Sequence, residues 1–208
     1  MKQANSEWIV FWDCDDKPIQ VNQVVSSCQN AISETNCLVF RYKTVYKSSV
    51  KSLESSLDRS LSTWARNPGI WRVYFRYERI SNLIFEDMKM GEDQVFLAKC
   101  SLEESETKFV DLVAYEYFVG LNGQLTQNRN HVKEVLRALD SLNKYFVSSN
   151  QNKSRYQKQI ELNLTKSALK IDYLCTLGSV SRLKYLARSR LVREFLKLKM
   201  SYLLRIGS

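Results

Sequence analysis

Apolar residues along this 208-residue chain recur at two periods, one suited to strands and one to helices. Trp8 to Trp12 is a continuous apolar run followed by Asp13, Asp15, Asp16 and Pro18. That pattern predicts a buried strand ending in an acidic turn. Cys37 to Tyr46, rich in β-branched and aromatic residues, predicts a second strand. Between Ser49 and Arg66 the apolar positions are Val50, Leu53, Leu57, Leu61 and Trp64, a spacing of three and four that predicts a helix. Asn67-Pro68-Gly69 closes it. Ile70 to Tyr77 reads as a strand with Trp71, Val73, Phe75 and Tyr77 on one face and Arg72, Tyr74 and Arg76 on the other.

Gln94 to Lys99 predicts a further strand and Lys108 to Val119 a helix, closed by Gly120 and an Asn122-Gly123 turn. Arg129 to Val147 is strongly amphipathic, with Val132, Val135, Leu136, Leu139, Leu142 and Phe146 on one side. Arg155 to Cys175 is mixed, alternating at Ile160, Leu162 and Leu164 before a more helical spacing. Past Gly178, Ser179 or Ser181 can cap a last helix from Arg182 to about Ile206. Leu191, Phe195, Leu198 and Tyr202 share one side of that helix, and Arg182, Arg190, Arg193 and Lys197 gather on another. Only six Gly and two Pro interrupt the chain, which favours long elements. The expected fold is α+β and helix-dominated: a small mixed N-terminal sheet, amphipathic helices, and a basic helical C-terminal part.

Charge sharpens the division. Residues 151–208 hold 13 Lys and Arg against three acids, a net of +10, while residues 1–150 hold 18 basic and 19 acidic groups, a net of −1. The expected organisation is a near-neutral body over 1–147, a Ser/Asn-rich linker over 148–154 and a basic region over 155–208. Clustered cations attract polyanions, so RNA is the expected partner, with an anionic membrane surface, a protein partner or a second copy of the chain as alternatives. Five scattered cysteines without a CxxC pair, and no export signal, predict reduced thiols in a cytoplasmic or nuclear, non-secreted protein. No window has the length and apolarity of a membrane span.

Chemical motifs are sparse. His131 is the one histidine, and it falls where a long helix should begin, so triad chemistry has little to draw on. No thiol pair has zinc-ligand spacing and no glycine-rich phosphate loop is present, so no small-molecule cofactor is expected. The acidic turn is the exception. Carboxylates at a strand end can hold Mg²⁺ against a phosphodiester. Ile9 to Ile19 (Ile-Val-Phe-Trp-Asp-Cys-Asp-Asp-Lys-Pro-Ile) resembles the first strand of the NYN branch of PIN-like ribonucleases, with Asp16 where that pattern has Asn. The resemblance covers about a dozen residues and implies a metal-dependent ribonuclease acting through Asp13, Asp15 and Asp16.

A basic and aromatic stretch carries the leading expectation. Arg66, Arg72, Tyr74 and Arg76 combine cations for phosphates with rings for base stacking, and Arg182, Arg190, Arg193 and Lys197 extend the positive surface. The sequence alone therefore predicts a non-enzymatic RNA-binding protein of the type found among virus accessory proteins. A ribonuclease and a membrane-surface or protein-interaction module stand as the alternatives.

Overall fold

The computed structural model describes residues 6–46, 52–120, 131–150 and 152–175. The chain divides into two compact units, the first formed by Met1–Ile84 with Cys100–Gln124 and the second by Phe85–Lys99 with Leu125–Ser208.

The first unit is built on a mixed sheet of six strands: β1 (Trp8–Ile9), β2 (Lys17–Pro18), β3 (Cys37–Tyr46), β4 (Ser52–Glu54), β5 (Val73–Arg76) and β6 (Thr107–Val119). Their order is β1-β5-β3-β6-β2, with β4 paired to β3. β3 runs parallel to β6 and antiparallel to β4 and β5. Cys37, Leu38, Val39 and Phe40 are all buried, so this half of β3 is covered on both faces. Such a strand shows a continuous apolar run in place of alternation. Leu38, Phe40 and Tyr74 pack with Val24 and Cys28 of helix α1 (Val21–Gln29), a core to which Ala114 of β6 contributes. Beyond Phe40 the β3–β6 register slips at two successive steps, so that Arg41 faces Val113 and Tyr42 faces Tyr115. Bulges of this kind re-aim the side chains that follow them. Arg41 clamps the same region, donating to Asp111 (2.7 Å), Glu54 (3.1 Å) and the Ser55 carbonyl (2.8 Å).

The first unit also holds two one-turn helices, α2 (Leu61–Trp64) and α3 (Tyr77–Ile80). Ser60 caps α2 by accepting the Thr63 N–H at 3.2 Å, and Leu61 and Trp64 are buried.

The second unit contains α4 (Glu92–Lys99), α5 (His131–Ser149) and α6 (Arg155–Cys175). Val135, Ala138, Leu142 and Phe146 form the buried stripe of α5, and Tyr156, Ile160, Leu164 and Ala168 that of α6. Gly91 precedes α4 at φ +88°, where a Cβ would lie 3.0 Å from the Ala138 Cβ and 3.2 Å from a Leu164 methyl. Glycine therefore satisfies both the left-handed backbone and the close approach of the helices. The side chain of Gln157 donates to the Ala98 carbonyl at 2.8 Å, and Lys153 pairs with the buried Glu161 at 2.8 Å.

Several expectations are corrected here. The fold is not a helix-dominated one with a small N-terminal sheet: six strands form one mixed sheet, and its longest strand lies at 107–119, where a helix was expected. The expected strand at 94–99 is helix α4, because Val95, Phe96, Leu97 and Ala98 are buried all round and leave no stripe to read. Of the expected helix over 49–66, the described residues 52–66 form a short strand, a loop and the single turn α2. Over 70–77, a 3₁₀ turn at Ile70–Arg72 leads into the four-residue β5. The strand over Cys37–Tyr46 and the long helix ending near 147 are found as expected, and Arg155–Cys175 is helical throughout. The expected helix over 182–206 lies outside the described residues. Among the described residues no helix is long and apolar enough to cross a membrane.

Candidate functional site

The acidic turn following β1 is held by the end of β6. β2 pairs with β6 so that Lys17 faces Glu116 and Pro18 faces Tyr115, which brings Asp13–Asp16 against the second half of the long strand. The Asp16 N–H donates to the Asp13 carbonyl at 3.3 Å and closes the turn. From the other side, the Asp13 N–H donates to the Tyr115 hydroxyl at 3.1 Å, and the Phe118 N–H donates to Asp16 Oδ1 at 2.8 Å.

These bonds give the three carboxylates different standing. Asp16 is half-buried and anchors the turn to β6, whereas Asp13 and Asp15 are exposed. Burial raises the Asp16 carboxyl above its ordinary value and the charge of Asp15 adds to the rise; the bonds from the Phe118 amide and the Tyr115 hydroxyl oppose it. The two phenols beside the turn respond in kind. Burial, reinforced by the nearby carboxylates, raises both Tyr115 and Tyr117, so each remains a neutral hydroxyl at physiological pH.

Behind the turn stands an aromatic stack. The Trp71 indole lies nearly parallel to Tyr115 (4.7 Å between centroids, 14°) and to Tyr117 (5.3 Å, 6°), and meets Tyr42 edge-on at 4.9 Å. Tyr115 and Tyr117 are two positions apart on β6, so one indole spans both rings. Gly69 abuts the indole as well, since a Cβ there would lie 2.6 Å from Trp71 Cε2 and Cζ2. The backbone at Gly69 (φ −98°, ψ 117°) is open to any residue, so only this contact demands glycine. Gly69→Ala is expected to shift Trp71 off the tyrosines, with loss of the near-ultraviolet circular dichroism of the stack and a cost of about 1–3 kcal/mol from overpacking. An unchanged aromatic spectrum would contradict this packing.

Could the turn hold a metal ion? Among the described residues no group of three or more His, Cys, Asp or Glu side chains is placed to do so. That excludes a closed, all-protein cage there. Mg²⁺ or Mn²⁺ carried with a phosphorylated ligand needs only one or two carboxylates from the protein. Asp13 and Asp15 offer that donor set.

The residues expected to contact RNA are placed differently. Arg72 is 2% exposed; it donates to Asp58 at 2.7 Å and to the Asn67 carbonyl at 2.9 Å, with its guanidinium 5.1 Å from the Tyr42 ring centroid. Tyr74 is buried against Phe40. Arg76 donates to the carbonyls of Thr35 (2.7 Å) and Ile32 (3.1 Å), pairs with Glu7 and covers Trp8. Arg66 is exposed, and Arg182, Arg190, Arg193 and Lys197 lie outside the described residues. Sequence reasoning missed Tyr115 and Tyr117, although the alternation Val113, Tyr115, Tyr117, Val119 was there to be read.

Cys14 sits exposed between the two outward carboxylates, while Cys28, Cys37 and Cys100 are buried. Burial pushes the Cys28 thiol up to about 11 and raises Cys37 and Cys100 further. Among these four, maleimide should label Cys14 first in the folded protein, with the others reacting only on unfolding. Peptide mapping that finds Cys37 or Cys100 labelled as fast as Cys14 would contradict the placement.

No protein-family model and no curated protein matches the sequence. Solved structures do. S. aureus TarS 1–349 in complex with UDP-GlcNAc matches with a TM-score of 0.51 at 18% identity, over 100% of this chain and 70% of that one. The same TarS segment in complex with UDP matches at a TM-score of 0.46 and 19% identity, over 100% and 69%. This finding corrects the expectation of a non-enzymatic RNA-binding or virus accessory protein: the similar structure was solved with a small nucleotide sugar. At this identity the likeness concerns architecture, and the chain shares the fold of the TarS segment.

Proposed function

We propose that this chain binds a uridine-diphosphate sugar at the Asp13–Asp16 turn and serves transfer of the sugar to an acceptor hydroxyl. The observation that carries the reading is the pair of exposed carboxylates, Asp13 and Asp15, on a turn fixed at one end by Tyr115 and at the other by Phe118. Support comes from the shared fold with TarS, whose structure holds UDP-GlcNAc.

The chemistry of such a ligand explains why carboxylates should face a polyanion. Bare carboxylates repel a diphosphate, so Asp13 and Asp15 would need to hold a divalent cation to face one. A bound Mg²⁺ or Mn²⁺ would supply charge neutralisation for the diphosphate as it departs. In the transfer itself the bond from the sugar's anomeric carbon to the diphosphate oxygen breaks, the acceptor oxygen bonds to that carbon, and the acceptor proton passes to a base. The part this turn plays is to position the leaving group. Asp13 and Asp15 would hold the cation, while Asp16, tied to the Phe118 amide, keeps the turn from swinging away from β6.

Calorimetric titration of the full chain with UDP-GlcNAc, in Mn²⁺ and again in EDTA, tests the reading. Saturable binding with Mn²⁺ that weakens sharply, to a residual metal-free affinity, with EDTA is expected. Binding indifferent to the cation, or absent in both conditions, would contradict it.

A further inference from the structure

The turn's own bonds leave open what sets the distance between Asp13 and β6, and the structure supplies an answer through three residues that are neither acidic nor exposed. Tyr115 is 1% exposed, and its hydroxyl is the acceptor for the Asp13 amide. That hydroxyl has one proton of its own to give, and the Asp16 carboxylate is beside it. One buried phenol thus holds one end of the turn and stands beside the other. The ring bearing it cannot tilt freely, because the Trp71 indole lies flat against it at 4.7 Å and also spans Tyr117. Trp71 is confined in turn by the Gly69 backbone.

We infer that Tyr115, braced by Trp71, is a positioning residue that holds Asp13 and Asp15 at the spacing needed to share a divalent cation with a diphosphate. The inference rests on the proposed reading of the turn as a nucleotide-sugar site. It adds that cation affinity is controlled from outside the carboxylate set by a hydroxyl reaching the ligand-bearing backbone. Partners of this outer kind orient metal ligands, and losing one typically weakens metal affinity by 10–100-fold. The bulges in β6 serve this arrangement, since they bring Tyr115 opposite Tyr42 and thereby under the indole.

Tyr115→Phe tests the inference because it keeps the stacked ring and removes only the hydroxyl. Three quantities should be measured on the full chain: affinity for UDP with Mn²⁺, affinity for UDP in EDTA, and hydrogen-exchange protection of the Asp13 amide. The expected result is a fall of about 10-fold in the Mn²⁺-dependent affinity, with the metal-free affinity and the melting temperature close to wild type. Asp13 exchange should quicken by about 5-fold, the loss of one modest hydrogen bond. Trp71→Leu, which keeps the hydroxyl and removes the brace, should move the same two quantities in the same direction by less.

A Tyr115→Phe protein that binds Mn²⁺ with UDP as tightly as wild type overturns the inference and leaves the nucleotide-sugar reading standing. Parallel losses in melting temperature and in both affinities also overturn it, since a merely structural role predicts them. Wild-type protein that ignores Mn²⁺ with UDP removes the site reading and this inference together.

Discussion

Asp15→Asn should reduce Mn²⁺-dependent binding of UDP-GlcNAc by about 100-fold or more, while leaving the fold intact. The size follows from what is removed. In the proposed site the cation would lose one of its two carboxylate ligands outright, a larger change than the 10–100-fold typical of partners one layer further out. The fold survives because Asp15 is exposed and the bonds closing the turn belong to its neighbours: the Asp13 amide with Tyr115, and the Phe118 amide with Asp16. Asp16→Asn should behave in the opposite way. An amide can still accept from the Phe118 N–H, so cation binding should persist far better than in Asp15→Asn. Titration of both variants against wild type, with circular dichroism as the control for folding, checks the pair. Equal losses in the two would mean that the turn does not divide its carboxylates between anchoring and binding.

The largest expected effect on stability comes from Asp58→Ala, at about 3 kcal/mol or more. Arg72 is 2% exposed and cannot shed its charge, so its guanidinium depends on Asp58 at 2.7 Å for its one ionic partner among the hydrogen bonds described. Removing that carboxylate leaves a buried cation facing only neutral groups, such as the Asn67 carbonyl at 2.9 Å. Breaking one side of a buried pair costs about 3–5 kcal/mol, and the partial exposure of Asp58 argues for the lower end. Asp111→Ala provides the contrast. It also removes an arginine's partner at 2.7 Å, but Asp111 is 65% exposed and Arg41 retains Glu54, so the loss should stay below about 1 kcal/mol. Denaturant midpoints of the two variants separate the cases. Similar small losses in both would show that the Arg72 pair is not buried in the way described.

What could be read from sequence differed by element, for physical reasons. β3 was legible because strand residues buried on both faces give an uninterrupted apolar run. α5 was legible because one face packs and the other is wet, though its buried stripe runs through Ala138 and leaves Leu136 partly exposed. β6 was not. Its register slips opposite Phe40, Arg41 and Tyr42, so Phe109, Val110, Val113 and Tyr115 follow no strict alternation and fit a helical spacing instead.

The candidate site was half visible. The Asp13–Asp16 turn announces itself by the charges after an apolar run, but its partners Tyr115 and Phe118 are 102 residues away and enter only through strand pairing. The same blindness misdirected the reading of Arg72 and Arg76. Alternation suggested an outward cationic face, yet Asp58, Glu7 and four backbone carbonyls accept six hydrogen bonds from them at sequence separations from 5 to 69. Local pattern shows which residues are charged; tertiary pairing shows which charges remain for a ligand.

The most direct measurement of the central claim is paramagnetic broadening of amide resonances by Mn²⁺ in the presence of UDP. Broadening falls steeply with distance from the ion, so it maps the cation without relying on activity. The amides of Asp13 to Asp16 and of Tyr115 to Phe118 should broaden first, and Asp15→Asn should remove the effect. Broadening centred elsewhere in the chain, with the turn unaffected, would contradict it.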